Sequence, residues 1–257
     1  MSSASSKLGS VATSSRIPTT AIGGHKNRKK ESLLLKEEDK EEDIIDLTKY
    51  KNICKIVDEY GIEWGIVHVM FLEWGNDYMQ QSYFDSIAQF LAGNISHVQI
   101  AFDVQNIKDE SDTCQMTFSV DAIENEVFCD DTKTYSRDGW LWFQWKIPYE
   151  CANYMYKQCK KKIGCQYNSL GLHCVICCGW SGNGQSFFCS ELVATIFKET
   201  HDMYKNKKDI PIKRTYYDED IIGKSPSKAT PTKLFDFMSN HTDATKESHP
   251  STNLLRK

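Results

Sequence analysis

The chain of 257 residues holds no apolar run near the about 18 residues that a membrane-spanning helix needs, and its first ten, MSSASSKLGS, lack the apolar stretch of a secretory signal. Both absences point to an intracellular protein with no transmembrane segment. Net positive charge is missing as well: Lys+Arg number 31 against Asp+Glu 35, a formal net charge of -4, so no global field draws the chain to nucleic acid or an anionic membrane. No specific nucleic-acid binding is expected. What is present is globular material, 40% hydrophobic and 26% charged, enough for one good-sized core. Ten cysteines in such a chain read as reduced thiols, most of them small buried hydrophobes, rather than as a disulfide framework.

Composition divides the chain. The first 30 residues are rich in Ser, Thr and Gly and carry Lys and Arg but no acid; ESLLLKEEDKEED then reverses the sign without any recurring apolar position. Residues 1–45 are expected to be a disordered head, 46–238 one folded domain, and 239–257 a disordered tail. Within the domain GIVHVMFL (65–72) is apolar on both alternating faces, the pattern of a strand covered on both sides. Asp77 and Gln80 look like a helix cap, followed by Phe84, Ile87, Ala88 and Leu91 at helical spacing. VQIAF (98–102) and MTFSV (116–120) alternate and read as a long-looped hairpin; 140–147 is an aromatic strand. Pro148 opens a helix with Ala152, Met155, Tyr156, Cys159 and Ile163 on one stripe, and Gly164 ends it. A further helix starts at Cys189 or Ser190 with Leu192, Val193, Ile196 and Phe197 inward, and PTKLF (231–235) reads as a turn and one short docking helix. These elements make an α+β domain with a mostly antiparallel sheet packed against helices.

Chemistry concentrates at three positions. Cys189 begins an amphipathic helix, where unpaired N–H groups and the positive end of the dipole favour thiolate over thiol. The same N–H groups can stabilise an oxyanion on an attacked carbonyl; the bland alternative is a buried core thiol. His97 starts an alternating strand and shares a face with Gln99 and Ala101, so it is the candidate proton acceptor, against the commoner role of a hydrogen-bonded structural histidine. On the paired strand Thr117, Ser119 and Asp121 share one face, with Ser119 best placed to orient the imidazole and Gln99 its rival. The aromatic strand, with Trp140, Trp142, Phe143 and Trp145, is the richest source of a cleft wall.

SHVQIAF (96–102) and FCSELV (188–193) together resemble the circularly permuted papain-like hydrolases of the NlpC type, in which a histidine-bearing strand precedes a cysteine-bearing helix. The turn GCQYN (164–168), the YSRDGW segment (135–140) and TPTKL (230–234) are similar to further pieces of that family, and the resemblance spans about residues 61 to 238. It implies a permuted papain-like fold with Cys189 as nucleophile, His97 as base and a third position near Ser119, where relatives more often carry a carboxylate, another His or an amide. It also implies thiol chemistry on amide, ester or thioester bonds, with no cofactor and no metal: peptidases and amidases, or lipid acyl hydrolases and transferases. The details look most like members encoded by large DNA viruses, in host cytoplasm or nucleus or packaged in a virion. The competing reading is a non-catalytic virion structural protein, of minor-capsid or tegument type, that reuses the fold and contacts other virion proteins.

Three smaller signals remain. Cys174 and Cys177 form one CxxC next to His173, but a structural zinc site normally needs a second pair, and a buried apolar segment is the simpler reading. His25 to Lys30 is a basic cluster within the head. Glu41 to Thr48 looks like a SUMO-interacting motif through Ile44, Ile45 and Leu47; alternatively those residues dock on the domain as its first element.

Overall fold

The computed structural model describes residues 46–73, 94–109, 111–120, 124–132, 140–168, 186–207, 215–241 and 244–247. The chain divides into two units, Met1–Asp43 and Ile44–Lys257, and every described residue belongs to the second. That unit is α+β, as expected. The centre of its sheet is β3 (Glu63–Glu73), paired antiparallel with β4 (Ile95–Asn106) on one side and β7 (Trp140–Pro148) on the other. Beyond β4 come β5 (Thr113–Val120) and β6 (Val127–Asp131), both antiparallel. β1 (Tyr50–Ile53) continues the line of β3 along β4, and β2 (Ile56–Val57) folds back on β3. The unbroken apolar run in β3 has its cause in this position: Val67, Val69 and Phe71 on one face and His68 and Met70 on the other are all buried.

Among the described residues three helices cover one face. α1 (Tyr149–Lys162) leaves β7 directly and buries Ala152, Met155, Tyr156 and Cys159 of the predicted stripe together with Cys151, while Ile163 falls at its C-cap and is half-buried. Gly164, at φ +79, takes the left-handed conformation that closes it. α2 (Cys189–Tyr204) packs on β4, β5 and α1, with Val193, Ala194, Ile196 and Phe197 in the main core. α3 (Pro231–Asn240) has Thr230 as its N-cap, accepting from the Lys233 N–H at 3.2 Å, and Pro231 at its first position. Under them lie Val67, Val69, Phe71, Val98, Ile100, Phe102, Phe118, Phe143 and Trp145. None of the described helices is long and apolar enough to cross a membrane.

The C-terminal boundary departs from the expectation. The domain does not stop at Met238: α3 runs to Asn240, and β10 (Ala244–Glu247) pairs with β7 from Ala244 opposite Trp145 to Glu247 opposite Trp142. Four residues carry too little periodicity to announce a strand, and the open edge of β7 supplies the pairing. His241 is part of the same closure, with Nε2 2.7 Å from the Thr215 carbonyl and its ring 4.9 Å from that of Trp145. A chain truncated after Met238 is therefore expected to melt roughly 5 °C lower than the full chain, on about 2 kcal/mol of lost ladder bonds and packing. Differential scanning calorimetry of the two proteins checks this; equal melting temperatures would mean that β10 contributes nothing. The helix expected over Asp77 to Leu91 lies outside the described residues.

Candidate active site

A β-bulge prepares the position of His97. Leu72 pairs with His97 and Glu73 with Ile95, so Ser96 is an extra residue between them, its Oγ donating to the Leu72 carbonyl at 3.0 Å. The bulge sends Ile95 into the helix-side core and His97 to the opposite face, although the two are only two residues apart. There His97 Nε2 lies 3.0 Å from Ser119 Oγ, and the Gln99 amide nitrogen lies 3.1 Å from the same oxygen and 3.4 Å from His97 Nε2. Both orienting candidates thus contribute, to one hydroxyl. Ser119 is 1% exposed and Gln99 4%, so the bond between them is shielded from water and correspondingly strong, while His97 is half-buried. The edge of the Trp140 ring meets the imidazole at 5.9 Å between centroids.

Cys189 is the first residue of α2, as the pattern of apolar residues predicted. Its N-cap, Phe188, has no side-chain acceptor to take up the donors of the first turn, and the first intrahelical bond runs from the Leu192 N–H to the Phe188 carbonyl at 3.0 Å. The half-buried Cys189 packs with Val120, Val127, Phe187 and Leu192, a small cluster at the end of β5. Because β4 and β5 are antiparallel, that is also the end where β4 begins. The helix start and the His97–Ser119–Gln99 trio therefore meet the same end of the sheet, the helix from one layer and the trio from the other. Ser190 anchors the turn by donating to the Ala229 carbonyl at 2.9 Å.

Other thiols differ sharply in environment. Burial, with the Asp103 carboxylate adding to it, pushes the Cys54 thiol up to about 11, and burial beside Asp130 pushes Cys129 up to about 12. Cys159, fully enclosed, is held well above the ordinary thiol value by the same desolvation. Glu191, two residues into α2, is 4% exposed, and burial raises its carboxyl against the opposing effect of two hydrogen bonds.

The aromatic strand does not supply one wall. Alternation along β7 sends Phe143 and Trp145 into the helix-side core, and only Trp140 and Trp142 join Met70 and Ala101 on the face of His97. His68 is buried with Nε2 3.1 Å from Asp103 Oδ2, and the Gln115 amide donates to the same carboxylate at 2.9 Å. Its Nδ1 has no hydrogen-bond partner among the described residues. Leu47 packs on the core and its carbonyl accepts from Lys160 at 2.9 Å, the docking alternative to a SUMO contact; Ile44 and Ile45 lie outside the described residues. So do Asp121, His173, Cys174 and Cys177. Among the described residues no group of three or more His, Cys, Asp or Glu is arranged to hold a metal ion.

No family model, curated protein or solved structure matches the chain.

Proposed function

We propose that the protein is a cysteine-dependent hydrolase or acyltransferase acting on an amide, ester or thioester bond, with Cys189 as nucleophile and His97 as base. The observation that carries the reading is the 3.0 Å contact of His97 Nε2 with a buried hydroxyl that a second donor already occupies. Ser119 Oγ has two lone pairs. The Gln99 amide fills one, and in the tautomer in which His97 Nε2–H donates to the other, Nδ1 is the basic nitrogen of the ring. Nδ1 takes the Cys189 proton to give a thiolate–imidazolium pair, the sulfur then attacks the carbonyl carbon, and first-turn N–H groups of α2 stabilise the oxyanion. Collapse breaks the bond to the leaving group, which receives the proton from His97, and leaves an acyl thioester on Cys189. Water or an acceptor alcohol or amine, deprotonated by the same nitrogen, then releases the acyl group and restores the thiol.

Alkylation tests the pair without a known substrate. At pH 6.5 iodoacetamide is expected to modify Cys189 at least about tenfold faster than any other cysteine, because a thiolate at a helix start has a pKa below the ~8.5 of free Cys while burial holds Cys54, Cys129 and Cys159 protonated. His97→Ala is expected to slow that reaction about tenfold by removing the cationic partner of the thiolate. Preferential labelling elsewhere, or a rate indifferent to His97, would remove the basis for the proposal.

A further inference from the structure

The start of α2 is tied to a second piece of chain. β8 (Gln166–Tyr167) and β9 (Ser186–Phe187) run parallel, with Tyr167 opposite Phe187, and the Asn168 N–H donates to the Phe187 carbonyl at 2.9 Å. The Asn168 side chain donates to the Glu191 carboxyl group, which also accepts the Phe188 N–H. Glu191 is the third helical residue after the Phe188 N-cap, so its contact with the N-cap N–H is the backward half of a capping box. Phe188 has no hydroxyl to supply the forward half. The bonds form a ring, from Asn168 to Phe187, along the chain to Phe188, across to Glu191 and back to Asn168, with Cys189 inside its span.

We propose that Glu191 is a positioning residue: its carboxyl group clamps the chain after β8 to the N-cap of α2, and so fixes the direction of the Cys189 side chain and of the first-turn N–H groups. A second observation separates this from ordinary capping. Glu191 Oε2 is buried and has no hydrogen-bond partner among the described residues, at a residue only 4% exposed. An exposed glutamate would cap the helix and keep both oxygens solvated. Burying the group with one oxygen unserved is destabilising, and this sequence carries it two residues after the proposed nucleophile. Burial raises its carboxyl against the two hydrogen bonds it accepts, and those two bonds, both to acceptor oxygen, are what hold the chain after β8 to the N-cap.

The inference rests on Cys189 being the reactive thiol, and the test separates the two. On the full chain, the iodoacetamide rate at Cys189 is measured by mass mapping for the parent, Glu191→Gln, Glu191→Ala and Asn168→Ala, with melting temperatures alongside. Glutamine keeps the acceptor oxygen and is expected to react within about twofold of the parent. Alanine removes the clamp and is expected to react about tenfold more slowly, and Asn168→Ala, which loses one of two bonds, to fall between them. Glu191→Ala reacting like the parent would overturn the proposal, as would Glu191→Gln falling as far as Glu191→Ala at an unchanged melting temperature. Should Glu191→Ala not fold, the glutamine and Asn168→Ala rates decide alone: a parent-like rate for Asn168→Ala would overturn it. Absence of preferential Cys189 labelling in the parent is a different result and removes the nucleophile itself.

Discussion

Cys189→Ala and His97→Ala are each expected to lower acyl-ester or thioester hydrolysis by at least about a thousandfold, and the double replacement to lower it no further. Nucleophile and base are two halves of one proton transfer, so once either is gone the other has nothing to act on. Ser119→Ala is a milder change. A neutral hydroxyl orients the imidazole without stabilising its positive charge as a carboxylate does, and loss of one buried bond of about 1 kcal/mol corresponds to a fall of about five- to tenfold. The measurement is initial rates on a panel of p-nitrophenyl esters, acyl thioesters and aminoacyl anilides for the four variants and the parent. A His97→Ala protein with near-full activity would show that the base lies elsewhere, and additive losses in the double variant would show that the two residues do not act together.

The second large effect is on the fold. Gly65 lies on the face of β3 that meets the start of α1, and a Cβ placed there falls 2.5 Å from Ile53 Cδ1 and 2.6 Å from Ala152 Cβ. Its backbone is not in the left-handed region, so close approach of the helix, not conformation, requires glycine. Ile53 has a flexible side-chain end, whereas Ala152 is held by the helix backbone and cannot yield. Gly65→Ala is expected to destabilise by about 1–3 kcal/mol and Gly65→Val by more, read from urea midpoints at constant m-value. Ile53→Val, which removes the Cδ1 atom, is expected to return part of that loss when combined with Gly65→Ala, so that the two changes are not additive. Additive losses, or a neutral Gly65→Ala, would show that α1 is free to move off the strand.

Long elements were legible because their periodicity is repeated many times. The predicted strand over 65–72 is observed as Glu63–Glu73, the helix opened by Pro148 as Tyr149–Lys162, and the helix starting at Cys189 or Ser190 as Cys189–Tyr204. Short elements were not. β1 and β10 owe their existence to partners far away in the chain, β2 and β6 to the strand next to them, and a segment such as ATKE (244–247) carries no pattern of its own. The same difference runs through the candidate site. Alternation along VQIAF and MTFSV put His97, Gln99 and Ser119 on one face, which the hydrogen bonds among them bear out. Nothing in the residues around Ser96 announced a bulge, and nothing in FCSELV announced that Glu191 would reach back to Phe188 and across to Asn168.

By itself, the amino-acid sequence determined which residues have a buried stripe, where Pro148 and Gly164 bound a helix, and which side chains are candidates for chemistry. Each of these depends on residues within a turn or two of one another, and so on energies set by local spacing. Only the tertiary structure decided that Ser119 Oγ serves both Gln99 and His97, that one bulge separates Ile95 from His97 across the sheet, that Phe143 and Trp145 leave Trp140 and Trp142 behind, and that a buried carboxyl ties Asn168 to the first turn of α2. These depend on register and on contacts between segments tens of residues apart. A shift of one residue in a strand reverses every side chain, and no local preference fixes that choice until the partner strands and the helix layer have closed around it.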